Sequence, residues 1–335
     1  MNTVSLLIVT WNSKRHLPLC LAALQKQSYN NFEVIIVDNG SSDGGVTGIK
    51  EKYPALNIHV KTLNENKGFA VANNIGAHMA RGKWLALLNA DAFPEPTWLE
   101  NLLEAAEKYP NGFFGSQQIQ ANSPALLDGE GDIYHISGLA WRKNYGHPLR
   151  EKQAVETIFS PCAAAALYPR QAFLDVGGFD EDYFSYHEDV DLGFRLRLRG
   201  LSAYYVPQAV VHHVGSASTG KLSDFSVYYG HRNLIWTYLK NMPSLLFCLF
   251  FPLYIYVNLY FLVSFSFKGR SKVIWAAKRD AVKELGKMWE KRKSIQSARI
   301  ASAGDIYQAL ERNLFLPMFV SLQRRYYDSK RKSYP

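Results

Sequence analysis

The sequence predicts an α/β protein built on a doubly wound, mostly parallel sheet, followed by a helical carboxyl-terminal region. Three observations carry this. Short apolar runs alternate with stretches whose apolar residues recur at helical spacing. The apolar runs end in polar loops rich in Asn, Asp, Ser and Gly, as strand carboxyl ends do in open sheets. The last third then changes composition: Ser244 to Phe267 holds no charged side chain, and basic residues crowd the chain from Lys268 onward.

The elements follow in order. Val4–Val9 reads as a buried strand, with Thr10, Trp11, Asn12 and Ser13 as a polar turn and Leu17, Leu21 and Leu24 on one helix face. Phe32–Val37 is a second strand, ending in Asp38-Asn39-Gly40-Ser41-Ser42-Asp43-Gly44. Ile58–Leu63 is a third, ending in Asn64–Ala70 before a helix carrying Ala72, Ile75 and Met79. Trp84–Leu88 is a fourth, bounded by Gly82 and Pro94, and it leaves Asp91 where the chain exits the sheet. Such alternation closes only as a parallel sheet with crossover helices. Asp91 there either starts a turn and caps the helix at Thr97–Tyr109, or holds a divalent cation and, through it, a diphosphate. No Gly-x-Gly-x-x-Gly follows the first strand and no Walker A loop is present, so a metal is the expected holder of phosphates.

Between Gly112 and Arg170 the chain reads as irregular strands and loops. Its Gly- and Asp-rich run Leu127–Asp132, with Gly138–Arg142, suits a surface insertion or a site-lining loop equally. Gly177-Gly178-Phe179-Asp180 is a tight turn. It precedes a helix opening at Glu188-Asp189 and closing at Gly200, whose acidic first turn also suits the helix dipole. A last strand, Val206–Gly215, runs into a loop at Ser216–Ser218 and carries His212 and His213.

Bulk properties narrow the class. The 335 residues are 47% hydrophobic and 20% charged, ordinary for a globular protein. Cys20, Cys162 and Cys248 show neither disulfide nor metal-like spacing, which favours a reducing compartment. Met1–Val9 reads as a strand rather than a signal peptide, so a cytoplasmic protein is expected. From Lys268 onward 17 Lys and Arg stand against 6 Asp and Glu, so the tail carries more than the whole net charge of +9. Behind a charge-free stretch of 24 residues, about 36 Å as a helix, this basic region fits an anionic membrane surface and not nucleic acid. The expected division is a catalytic domain at 1–230, an apolar and basic membrane-associating region at 231–299, and a short helix with a basic tail at 300–335. Pro252, Asn258 and the tyrosines leave spanning and interfacial placement of 244–267 both open.

Five stretches occur in an order that resembles glycosyltransferase family 2, with its GT-A fold, and most its bacterial rhamnosyltransferase-type members. They are Ile8–Ser13; Val37–Gly44; Asn66–Ala70 with Asn74 and Gly76; Leu87–Asp91; and Gly177–Glu181 followed by Glu188–Leu192. The resemblance implies an inverting, metal-dependent transferase using Mn²⁺ or Mg²⁺ and a nucleotide-diphospho-sugar, with dTDP-L-rhamnose as donor. The acceptor it implies is a lipid-linked saccharide at the cytoplasmic face of the membrane, in cell-surface polysaccharide synthesis. Asp38, with Asn39, would accept from a pyrimidine N3–H, while Thr10, Trp11 and Asn12 pack on the base. Asn66, Gly68, Phe69 and Asn74 would frame nucleotide and sugar, with Glu188 also on the donor side. Asn89-Ala90-Asp91 stands where the family has D-x-D, so Asp91 would take the metal and Asn89 a ribose or phosphate. Asp189 would be the general base, and His212, preferred to His213 by position, would face the metal. Ser160–Ala165 departs from the family's usual Gly-Ala start. The competing readings are a catalytically silent scaffold of the same fold, a transferase for another UDP- or GDP-sugar, and a nucleotidyltransferase. The last would need a glycine-rich triphosphate loop, which is absent.

Overall fold

The structure, a computed structural model, describes residues 3–149, 154–215 and 223–317. The Ser216–Ser218 loop and most of the expected basic tail lie outside the described residues.

The strands are β1 (Val4–Thr10), β2 (Phe32–Asp38), β3 (Ile58–Thr62), β4 (Trp84–Leu88), β5 (Ala92–Pro94), β6 (Gly112–Gln120), β7 (Leu127–Gly129), β8 (Asp132–Tyr134), β9 (Ala140–Arg142), β10 (Glu156–Ile158), β11 (Ala165–Pro169) and β12 (Ser202–His213). The helices are α1 (Leu17–Leu24), α2 (Ile49–Lys52), α3 (Gly68–Met79), α4 (Trp98–Lys108), α5 (Arg170–Asp175), α6 (Glu188–Leu198), α7 (Asp224–Asn241), α8 (Ser244–Phe265), α9 (Ser271–Lys283), α10 (Leu285–Ser297) and α11 (Ala303–Ala309).

The main sheet runs β10-β12-β6-β11-β4-β1-β2-β3, with β5 added to β12 and β7 to β6. The pairs β4-β1, β1-β2 and β2-β3 are parallel, so Thr10, Asp38, Thr62 and Leu88 all end on one side of the molecule. β11 enters antiparallel between β4 and β6, and β6-β12 is parallel again. The sheet is therefore mixed, with the expected parallel arrangement in β1 to β4 and in β6-β12, and antiparallel pairings elsewhere.

β1 shows why these runs form central strands. Val4, Leu6 and Ile8 point into one apolar layer with Leu17, Leu21 and Leu24 of α1. Leu7 points into the opposite layer with Ala70, Ala72 and Ala77 of α3. A strand covered on both faces calls for apolar residues on both, and β1 supplies them except at Ser5, whose buried hydroxyl donates to Glu33, and at Thr10, its last residue. α3 sits so close to β1 that a Cβ on Gly76 would lie 2.1 Å from a Leu7 methyl.

Two expectations are corrected here. The segment after Gly112 is not irregular at its start: β6 is nine residues long, wholly buried, and central to the sheet. Its Ser116, Gln117, Gln118 and Gln120 disguise it, but they bond inward. Ser116 Oγ accepts from Trp98 Nε1, Gln118 donates to the Cys162 carbonyl and Gln120 to the Leu127 carbonyl. Likewise, the division expected between residues 230 and 231 falls inside α7. Asn233, Thr237, Lys240 and Asn241 of α7 are buried, and Lys240 pairs with Asp180 and Asp191 of the catalytic layer. The helical region is thus packed onto the sheet domain with no linker between them. By length and composition, α8 opens the one described stretch able to cross a membrane.

Candidate active site

Asp91 sits in the turn from β4 to β5. Its carbonyl accepts from Val214 N–H, which ties that turn to the end of β12. The cap residue of α4 is Thr97, so Asp91 is not the helix cap. Across from it β12 delivers His213, opposite Ala92 in register. His213 Nε2 lies 3.4 Å from Asp91 Oδ1, and Asn89 Nδ2 approaches the same nitrogen at 3.4 Å. The other ring nitrogen, Nδ1, is 2.8 Å from Asp128 Oδ2, and Arg142 of β9 anchors Asp128 at 2.6 Å. Burial pulls the imidazole pKa down, but the hydrogen bonds and charges of Asp128 and Asp91 outweigh it and raise it to about 9. Burial pushes Asp91 up, yet the His213 bond and charge leave its carboxyl below the usual range.

Asp189 arrives by a different route. Tyr186 and His187 both adopt left-handed backbone, at φ 69° and 66°, a pair uncommon outside glycine. That turn starts α6 abruptly and presents Glu188 and Asp189 at its first turn. Asp189 Oδ1 accepts from Val190 N–H (2.8 Å) and Oδ2 from Ala163 N–H (3.2 Å). The Ser160–Ala165 stretch is thus the brace behind this carboxylate, since Ser160 Oγ also donates to its carbonyl. Glu188 is buried, and its Oε2 has no hydrogen-bond partner among the described residues. Burial, then the Asp189 charge, holds its carboxyl well above the usual range.

These groups meet in one cavity of about 440 Å³. Asn89, Asp91, His213, Glu188, Asp189 and Phe69 line it, together with Asp132, Trp141 and Arg142. The Gly- and Asp-rich run is therefore a site-lining loop, and its Trp141 and Arg142 are cavity residues that sequence reasoning did not single out. A basic residue amid so many carboxylates was the available signal.

The donor-side residues stand at the ends of β1 to β3. Asp38 is buried, and its Oδ1 accepts from Ser41 N–H. Trp11 is 42% exposed beside it in the turn after β1. Asn12, at φ 51°, accepts from Ser42 N–H and stitches the β1 and β2 loops together. Asn66 Oδ1 accepts from Asn39 and from Gly68 N–H. Gly68 is at φ +85°, and a Cβ there would lie 2.8 Å from the Phe184 ring.

Three expectations change. Asn39 spends its whole amide internally, accepting from Lys67 N–H and donating to Asn66 and the Gly68 carbonyl, so it braces loops and has no face left for a base. Asn74 is buried with its amide bonded to Phe179 N–H and C=O, which holds the Gly177-Gly178 turn on α3. His212 points away, 3.4 Å from Glu95, and it is His213 that faces Asp91. Asp191 is structural as well, paired with Arg195 and Lys240.

Two side chains of the kinds that divalent cations take meet here. Asp91 Oδ1 and His213 Nε2 converge, and Asp128 holds the far side of the ring as a carboxylate–histidine pair does behind a metal. No group of three or more His, Cys, Asp or Glu able to hold a metal occurs among the described residues. The site offers two protein donors and leaves other positions to water and ligand oxygens.

Residues 5–177 match the pattern of Glycosyl transferase family 2, just over half of the chain. The chain belongs to this family. Among curated proteins, this glycosyltransferase is 30% identical over 241 residues to the N-acetylglucosaminyl-diphospho-decaprenol L-rhamnosyltransferase of Mycobacterium tuberculosis, covering 64% of this chain and 76% of that one. Among solved structures it resembles Staphylococcus aureus TarS 1-349 in complex with UDP-GlcNAc, with TM-score 0.54 and 16% identity, covering 89% of this chain and 91% of that one. It also resembles GalNAc-T7 with UDP, GalNAc and Mn²⁺, with TM-score 0.60 and 17% identity, covering 73% of this chain and 49% of that one. These two likenesses show the GT-A fold. The family match ends at residue 177, so Asp189 and His213 lie beyond it.

Proposed function

We propose that this glycosyltransferase moves a sugar with inversion from a nucleotide-diphospho-sugar to a hydroxyl of a lipid-linked saccharide, at the cytoplasmic face of the membrane. L-Rhamnose from dTDP-L-rhamnose is the first choice of donor, supported by the mycobacterial relative's name and by the five ordered motifs. The observation that carries the reading is the shared cavity: Asp91 and His213 on one side, Asp189 on the other.

The chemistry assigns each a task. Asp189, oriented by Ala163 and Val190 N–H, takes the acceptor's hydroxyl proton while that oxygen attacks the anomeric carbon. The bond from that carbon to the diphosphate oxygen breaks on the opposite face, and no side chain forms a covalent intermediate. A Mg²⁺ or Mn²⁺ ion held by Asp91 and His213 would stabilise charge on the departing diphosphate. Asn89 positions the diphosphate or ribose, Asp38 faces the base and Phe69 borders the sugar.

Thermal shift with dTDP-, UDP- and GDP-sugars, with and without Mn²⁺, tests the donor. Stabilisation by dTDP-L-rhamnose that needs the cation is expected. Stabilisation by another sugar nucleotide alone would replace the donor, and cation-independent binding would remove the role of Asp91. Equal donor turnover by wild type and Asp189→Asn would favour the silent scaffold.

A further inference from the structure

The carboxyl-terminal helices decide how the chain meets a membrane. α8 is 22 residues long, about 33 Å, enough to cross a hydrocarbon core of roughly 30 Å. Length alone would permit a span. The packing does not. The chain kinks at Gly269 (φ +75°), and α9 folds back along α8, since Lys278 Nζ donates to Asn258 Oδ1 at 2.6 Å. α7 lies along α8 as well: Tyr238 stacks on Tyr254 at 4.1 Å, and His231 packs on Phe261 and Phe265 at 5.0 and 4.9 Å. Near the start of α8, Phe250 stacks on Tyr307 of α11. A spanning α8 would draw α7 and α9 into hydrocarbon with it, along with Lys272, Lys278, Arg279 and Arg232. Such charges belong in the interface or in water.

The opposite face of α8 is bare. Leu245, Leu249, Tyr256, Tyr260, Val263 and Phe267 are exposed along one line, and exposed Phe251, Ile255 and Leu259 flank it, so the apolar stripe is a broad face covering about half the helix. At its end stand exposed Lys268 and Lys272, with Trp275 exposed one turn on. An apolar stripe joined to Lys and Trp is what an anionic headgroup layer accepts from a helix lying in its plane.

We propose that α8 docks lengthwise in the surface of an anionic bilayer, stripe downward, and does not span it. Together with the acceptor assigned above, on which this clause rests, docking brings the cavity to the lipid. α7 joins the two: Phe225 and Tyr229 pack on Phe184, beside the cavity-lining Ser185–Asp189, while His231 packs on α8.

The test needs neither donor nor acceptor, so failure of sugar transfer leaves it untouched. Full-length protein should co-sediment with phosphatidylglycerol vesicles and not with phosphatidylcholine vesicles, and Lys268→Glu with Lys272→Glu should cut that binding by about tenfold or more. Binding that the double variant leaves unchanged would overturn the proposal, as would no binding to either vesicle. Topology is read in a Cys248→Ala background carrying Ser244→Cys or Lys268→Cys, exposed positions at the two ends of α8, since Cys20 and Cys162 are buried. In inside-out and right-side-out membrane vesicles, an impermeant maleimide should reach both positions from the same side. Labelling from opposite sides would show a span and refute it.

Discussion

Asp128 shows how one side chain outside the expected set governs the centre. Its carboxylate takes the Nδ1–H of His213, which leaves Nε2 as the nitrogen aimed at Asp91. Asp128→Asn should weaken Mn²⁺ binding by about 10- to 100-fold, read by electron paramagnetic resonance of free Mn²⁺. Unchanged affinity would remove Asp128 from this role. The charge state follows too. His213 rises from 6.5 to about 9 in the folded protein, so its proton stabilises the cation-free fold fully below about pH 6.5 and is lost as pH climbs through about 9. A cation bound at Nε2, as proposed, would displace that proton. Binding at pH 7 should therefore release about one proton, and binding near pH 10 almost none, by calorimetry in buffers of different ionisation enthalpy. The His212 expectation failed for a definable reason. The preference rested on motif position, which does not separate two adjacent histidines, and on a strand neighbours point to opposite faces: His212 to Glu95 and His213 to Asp91. Asp91 and Asp189 were legible because each stands in a motif at the end of an apolar run or the start of a helix. Asp128 and Arg142 were not, because only the β7-to-β9 excursion brings them to β12.

Among the elements, α7 holds the helical region to the sheet domain. Lys240 is buried with its ammonium on Asp180 and on Asp191 at 2.8 Å, and Lys291 of α10 reaches Asp180 and Asp182. Lys240→Met would leave two carboxylates in low dielectric without their shared cation. Each carboxylate keeps a second cation, Lys291 on Asp180 and Arg195 on Asp191, so a loss of about 1–3 kcal/mol is expected in urea unfolding. A loss under about 1 kcal/mol would show that the pairing merely offsets its own desolvation. Burial pushes Asp180 and Asp191 up, but Lys240 with Lys291 or Arg195 brings both below the usual range. Their contribution is therefore present above about pH 3.9 and lost as pH falls through the folded values. The strands β1 to β4 were readable because both faces are apolar. β6 was not, since Gln118 and Gln120 donate to the Cys162 and Leu127 carbonyls and Gln117 accepts from Tyr205 of β12, contacts that local pattern cannot show. The boundary near residue 230 failed likewise: α7 has polar residues on its inner face because it packs on charges.

For the whole molecule, the sheet gathers chemistry from distant parts of the chain. Strand ends β1 to β4 carry the residues proposed for the donor, while β12, α6 and the Gly- and Asp-rich loop close the cavity around Asp91. The family's fold was legible from five ordered motifs, whereas the seating of the helical region depended on long-range pairs such as Asn258 with Lys278. Membrane docking and catalysis are separable properties of the molecule. The catalytic one rests on Asp91, His213 and Asp189 acting as one centre. Its most direct test is transfer of labelled sugar from dTDP-L-rhamnose to the lipid fraction of membranes by wild type and Asp189→Asn, with donor affinity measured on both. For Asp189→Asn, kcat/KM is expected to fall by about 10²- to 10⁴-fold with donor Kd within about twofold. Transfer by Asp189→Asn at the wild-type rate would contradict it.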